Sequence, residues 1–304
     1  MDSTGSFLYT VIDRVRAYID EPDIEQKYTN DFIVRHCIMP SLVDVLARLN
    51  MNQDNPVVLE YSFETDTDTE YYQLPPCVQE VWRLVQKNSD GRIISDAYPR
   101  SQFHAMNQGW SLDGNQLRIF PRPASGLTVY VQYLSNGDIY PHYSTGGTLD
   151  ATKTILTLDS TPNLGQMDQR VNAYAGQVLR ILPSNVAAAV EERVIESSEV
   201  TAGVWTATVR TAFTQTSAGT VTYEIAPAGS QPLYEAVATR SALKLGAYRR
   251  ISEAHQRQIQ HQEREAMKTI QDNLSNMQMR TGKGWQKATV DNPEQGWLGW
   301  TRLR

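Results

Sequence analysis

The pattern of apolar and polar positions divides the chain into helical ends and a strand-rich middle. Phe7, Leu8, Val11, Ile12, Val15, Tyr18 and Ile19 recur at helical spacing and predict an amphipathic helix, with Ser3 or Ser6 as its cap and Asp20-Glu21-Pro22 as its stop. A second helical stretch from about 28 to 49 carries Phe32, Ile33, Ile38, Leu42, Val45, Leu46 and Leu49, and Pro40 inside it predicts a kink or a break. From Val57 the period changes to two. Val57, Leu59, Tyr61 and Phe63 alternate with polar neighbours, and the acidic turn from Asp66 to Glu70 leads into Tyr71-Tyr72. Leu74-Pro75-Pro76 predicts the start of a short helix through Val78, Val81, Trp82 and Val85. Strands expected at 92–95, 116–120 and 127–134 complete a small α+β unit over 57–134.

From Ser144-Thr145-Gly146-Gly147 to about Gly229 the chain is rich in Thr, Val, Ala and Ser and shows no helical stripe. Strands expected at 154–158, 177–182, 193–198, 204–209 and 220–225 predict an inserted all-β unit, a sandwich or a barrel. Beyond it, Leu233, Val237, Leu245, Tyr248, Ile251, Ile259, Ala266, Ile270, Leu274 and Met277 keep helical spacing from Pro232 to Met279. One long helix, or two nearly collinear ones, is expected; at full length it spans roughly 70 Å and must leave its own core. The Ala- and Leu-rich first half suits burial on several sides. The second half carries one narrow seam, Ile259, Ala266, Ile270, Leu274 and Met277, which packs against either a helix of the same chain or a neighbouring copy; we assign it as an inter-subunit face. Trp285, Trp297, Leu298, Trp300, Arg302 and Arg304 lie in a Gly- and Pro-broken end, where aromatic anchors and arginine suit a docking arm, the alternative being an end folded back on its own chain.

Together these readings predict an α+β fold. It has a helical bundle with a long C-terminal helix and a small strand-rich unit (1–143 and 231–281), an inserted all-β domain (144–230) and an extended C-terminal arm (282–304).

The charge balance, 28 basic against 34 acidic residues for a net charge of −6, argues against gripping nucleic acid through the overall field, while leaving room for a channel past which DNA slides. Two cysteines, Cys37 and Cys77, with no leader and no apolar run of membrane-spanning length, predict synthesis in a cytosol-like compartment and no need for disulfides or a membrane. Catalytic chemistry finds little purchase. The five histidines are scattered, and Asp66, Asp68 and Glu70 resemble the start of a calcium loop without its sixth-position glycine or twelfth-position glutamate. With no nucleophile elbow, phosphate loop or dinucleotide fingerprint, no catalytic residue, metal ligand or cofactor is assigned, and an enzyme is not expected. Trp205 and Tyr223 on the inserted unit are either core residues or a platform for a carbohydrate.

One ordered set of motifs carries a resemblance. Tyr72-Gln73-Leu74-Pro75, Val81-Trp82, Gly91-Arg92-Ile93, the stretch from Leu117 to Pro123 and the alternation from Leu127 to Tyr133 precede a long Ala-rich helix. In that order they resemble the head-to-tail adaptor (connector) proteins of tailed bacteriophages, over about 1–143 and 231–281. The resemblance implies a virion protein at the head-to-tail interface, made in the host cytoplasm. It also implies a homo-oligomeric ring of roughly twelve copies that closes by heterologous contacts. Its implied partners are the portal protein, reached by the C-terminal arm, tail, nozzle or fibre proteins at the β insert, and double-stranded DNA passing without sequence preference. The alternative is a virion receptor- or carbohydrate-binding protein acting through the β insert.

Overall fold

Helix α1 (Phe7–Tyr18) starts where the sequence supplies an acceptor: Ser6 has extended backbone and its Oγ accepts from the Tyr9 amide at 3.2 Å. In the computed structural model, which describes residues 6–20, 27–51, 58–87, 93–97, 109–120, 122–182, 190–214, 216–227 and 231–280, its apolar face is fully buried. The second helical stretch is three joined pieces, α2 (Asn30–Ile33), a π-helical turn (Val34–Ile38) and α3 (Met39–Asn50). Pro40 stands in the first turn of α3, so the irregularity it demands is absorbed by the wide turn just before it rather than by a loop.

Seven strands follow: β1 (Val58–Glu64), β2 (Tyr71–Gln73), β3 (Val78–Lys87), β4 (Ile93–Ala97), β5 (Gly109–Asp113), β6 (Gln116–Phe120) and β7 (Thr128–Ser135). They form two antiparallel sheets, ordered β1-β7-β3-β4 and β2-β6-β5. The helix expected through Val78 and Val85 is instead β3. Its register against β7 explains the misreading: Val78 faces Ser135 but Glu80 faces Leu134, and Val81 faces Tyr133 but Arg83 faces Gln132. Each irregularity adds a residue, so inward positions come three apart at Val78, Val81 and Leu84, a spacing that imitates a helix.

The inserted unit is a barrel. Its strands are β8 (His142–Leu149), β9 (Ile155–Thr157), β10 (Leu164–Gly165), β11 (Val178–Leu182), β12 (Glu191–Thr201), β13 (Val204–Val209) and β14 (Gly219–Ala226). Six of them run β8-β14-β11-β12-β13-β9, and β9 returns to β8 through the pairs Thr148–Thr157 and Leu149–Leu156, while β10 lies against the start of β8. Closure leaves no edge among those six. Leu156, Tyr174, Leu179, Ile195, Phe213 and Tyr223 fill the interior as a core of their own. Gly147 belongs to strand β8 rather than to a boundary loop, because a Cβ there would stand 2.5 Å from the Tyr223 ring.

The chain then enters α4 (Gln231–Arg249) and α5 (Glu253–Arg280). These are not collinear. Arg240 on α4 and Glu263 on α5 stand 3.8 Å apart, which requires α5 to turn back along α4. The reversal is a helix C-cap: Arg250 adopts φ +59° and the Ile251 amide donates to the Gly246 carbonyl at 3.2 Å, after which Ser252 accepts from the His255 amide. A 70 Å rod is therefore replaced by a hairpin. Both helices share one hydrophobic core with α1, the π turn, α3 and the two sheets.

Candidate docking surfaces

A buried carboxylate ties the barrel to the helices, beside the Gly165 amide that donates to Asp31 on α2 and the Tyr9–Tyr143 ring contact. Glu224 on β14, fully buried, accepts from Ser6 Oγ at 2.6 Å and from the amides of Phe7 and Leu8 at 2.7 and 2.8 Å. It therefore occupies the N-terminus of α1, where unpaired amides and the helix dipole both favour an anion. Arg180 on β11 lies 3.4 Å from Glu224, donates to Glu192 at 2.6 Å and also donates to the Tyr234 hydroxyl on α4. Burial pushes the Glu224 carboxyl above the ordinary carboxylate range, against the pull of Ser6, the two amides and Arg180. One node thus ties β11, β12 and β14 to α1 and α4. No spacing in the sequence announces a pairing between Ser6 and Glu224.

A second polar network seats α5. Glu263, buried on the inner side of that helix, accepts from Arg48 at 2.9 Å, while Asp44 on α3 receives Arg240 and Lys244, each at 2.9 Å. Burial pushes Asp44 up, but Lys244 and Arg240 outweigh it and hold its carboxyl below the ordinary range. Between these charges lie Ile259, Ala266 and Ile270, which are 1%, 7% and 7% exposed in the main core. Of the seam assigned to a neighbouring copy, these three residues take the same-chain option. Leu274 and Met277 lie on α5 beyond the described side chains, and Trp285, Trp297, Leu298, Trp300, Arg302 and Arg304 lie outside the described residues.

Apolar surface that does face outward sits elsewhere. Phe32 stacks on Tyr28 and meets Tyr248 edge-on at 5.6 Å, with Tyr248 54% exposed, and further along the same stretch Val43 and Met51 are exposed. Both cysteines are buried free thiols, and burial raises Cys37 to about 12 and Cys77 to about 11, so neither offers a thiolate. Tyr223 is fully buried, and its hydroxyl accepts from the Asp159 amide inside the barrel. Trp205 packs against the same interior, so these two rings form no platform for a sugar. Among the described residues no group of His, Cys, Asp and Glu is arranged to hold a metal, and no helix is long and apolar enough to cross a membrane.

Residues 8–138 match the family model described as SU10 adaptor protein. The resemblance to head-to-tail adaptors is borne out over that stretch. The adaptor segment runs from α1 to just past β7, taking in the half-buried Phe32 and the exposed Val43 and Met51 but neither the barrel nor the α4–α5 hairpin. No curated protein matches the chain. Among solved structures, the flagellar hook junction protein FlgK from Burkholderia pseudomallei is 9% identical, with 83% of this chain and 60% of that chain aligned and a TM-score of 0.15. The chain thus spans about three fifths of that protein, and the likeness carries no argument. The adaptor family is a structural class rather than an enzyme class.

Proposed function

We propose that the protein is a bacteriophage head-to-tail adaptor that assembles as a ring of roughly twelve copies beneath the portal and extends the DNA channel toward the tail. The observation that carries this reading is the adaptor-family match over 8–138, which falls on the helices and sheets sharing a core with α4 and α5. In that ring the arm bearing Trp285, Trp297, Leu298, Trp300, Arg302 and Arg304 engages the portal. Neighbouring copies meet along the continuation of the α5 seam at Leu274 and Met277, and the barrel faces outward toward tail or fibre proteins. The organisation follows the same division: 1–143 with 231–281 as the adaptor core, 144–230 as the insert and 282–304 as the arm. Synthesis in the host cytoplasm fits two thiols that remain unpaired.

Deleting residues 283–304 tests the reading. The shortened chain is expected to keep the thermal transition of the full chain and to lose co-sedimentation with portal rings. Unchanged portal binding removes the arm from the mechanism, and absence of any portal complex with the full chain removes the adaptor reading itself.

A further inference from the structure

We propose that the outward ridge of α5, formed by Arg257, His261, Arg264 and Lys268, is a sequence-independent contact strip for the phosphate backbone of double-stranded nucleic acid. The four positions are spaced four, three and four apart, so they lie in one line along the helix. That line is opposite the inward Ile259, Glu263, Ala266 and Ile270, and all four ridge residues are exposed while all four inward ones are buried. The ridge takes no part in holding α5 to the core. It runs for about 16 Å, a length over which a duplex presents roughly ten phosphates.

The local charge runs against that of the chain, whose net charge is −6. Arg264 and Lys268 make no ion pair with any described residue. Arg257 meets Glu253 at 3.4 Å, but the two side chains are 79% and 87% exposed, and a pair so open leaves the guanidinium available. Glu265 and Asp272 flank the strip on one side and moderate it, while Glu263 is buried and held by Arg48 from within.

The chemistry favours a polyanion over an acidic protein face. No aromatic or large aliphatic side chain stands on the ridge, so the anchor around which protein interfaces are built is missing. Its neighbours Gln258, Gln260 and Gln271 carry amides, which also donate to phosphate oxygens. Long, independently rotating cations that touch phosphates without reading bases give weak, exchangeable contacts, and a duplex held in that way still slides. The inference rests on the adaptor reading only for the direction in which the duplex moves.

The test titrates the full chain with a random-sequence DNA duplex at low ionic strength and repeats the titration as salt is raised. Binding is expected to weaken linearly on a log–log plot, and R257Q/R264Q/K268Q is expected to weaken it about tenfold or more and to lower the slope by roughly 3. Glutamine keeps helix propensity, so an unchanged Tm separates loss of contact from loss of fold. No duplex binding by the unsubstituted chain, or equal binding by the triple variant, overturns the proposal. A triple variant that binds duplex normally but no longer self-associates overturns it too, and gives the ridge to a neighbouring copy. A full chain that ignores the portal yet shows the expected duplex behaviour would sink the adaptor reading and leave the strip standing.

Discussion

Around α4, Leu233, Ala236, Val237, Ala238, Ala242 and Leu245 are each 5% exposed or less, whereas the side of α5 turned away from α4 carries nothing but polar groups and one alanine from Glu253 to Asp272. The two helices are joined by a three-residue reversal, Arg250 to Ser252, and lie against each other. They nevertheless meet different surroundings. Small residues let α4 sit among α1, the π turn, α3 and α5 at close range, so the composition of most of its surface is set by packed neighbours. α5 needs only one seam to stay in place, which leaves its far side open to selection for something outside the fold.

That contrast can be broken most forcefully from the seam. Ile259→Asp places a carboxylate in the main core and is expected to lower the stability of the isolated chain by about 3–5 kcal/mol, read by denaturant unfolding. An unchanged transition with lost assembly would return the seam to a neighbouring copy. Arg264→Gln on the opposite side should move stability by no more than about 0.5 kcal/mol.

The network beneath α5 gives a smaller and pH-dependent effect. Because Lys244 and Arg240 hold Asp44 below its ordinary range, its contribution is present above the carboxylate range of the unfolded chain and is lost as pH falls through the depressed folded value. Asp44→Asn should therefore lower Tm at neutral pH and shrink the loss of Tm on acidification. Equal acid sensitivity in both proteins would show that the pairs Asp44 makes with Arg240 and Lys244 on α4 do not set that sensitivity.

A smaller effect than that of the seam lies at the reversal itself. Arg250→Gly relieves a side chain held at φ +59° and should stabilise the chain by about 0.5–1 kcal/mol, seen as a modest rise in Tm. A fall in Tm would mean that the Arg250 side chain makes a contribution larger than the backbone relief.

Much of this architecture is legible in the residue pattern, and its failures have physical causes. Alternation along Leu59, Tyr61 and Phe63, and along Val129, Val131 and Tyr133, places β1 and β7 because those residues keep an unbroken period of two. β3 deceives because two bulges rewrite its period. The α4–α5 reversal is hidden because its left-handed position is filled by Arg250 rather than by glycine, so no stop signal interrupts the stripe. Gly146-Gly147 looks like a joint, yet Gly147 is the hole into which the Tyr223 ring fits. For the docking surfaces, periodicity says that Ile259, Ala266 and Ile270 are covered but not by which molecule, and the structure assigns the cover to the same chain. The Glu224 node is invisible from either end of the sequence, since a lone glutamate on a strand and a serine before a helix are both commonplace until they meet.

Ser6 and its acceptor Glu224 are 218 positions apart. The ribosome therefore releases the α1 segment long before the carboxylate that meets its first amides exists, and a chain stopped short of the barrel's last strand leaves Phe7 and Leu8 without that acceptor. Completion of the native joint between the barrel and α1 is thus timed to the last third of translation. Fragments that end before β14 lack the carboxylate that fixes the barrel against the start of α1, so the two parts of the fold are joined only once that strand has been made.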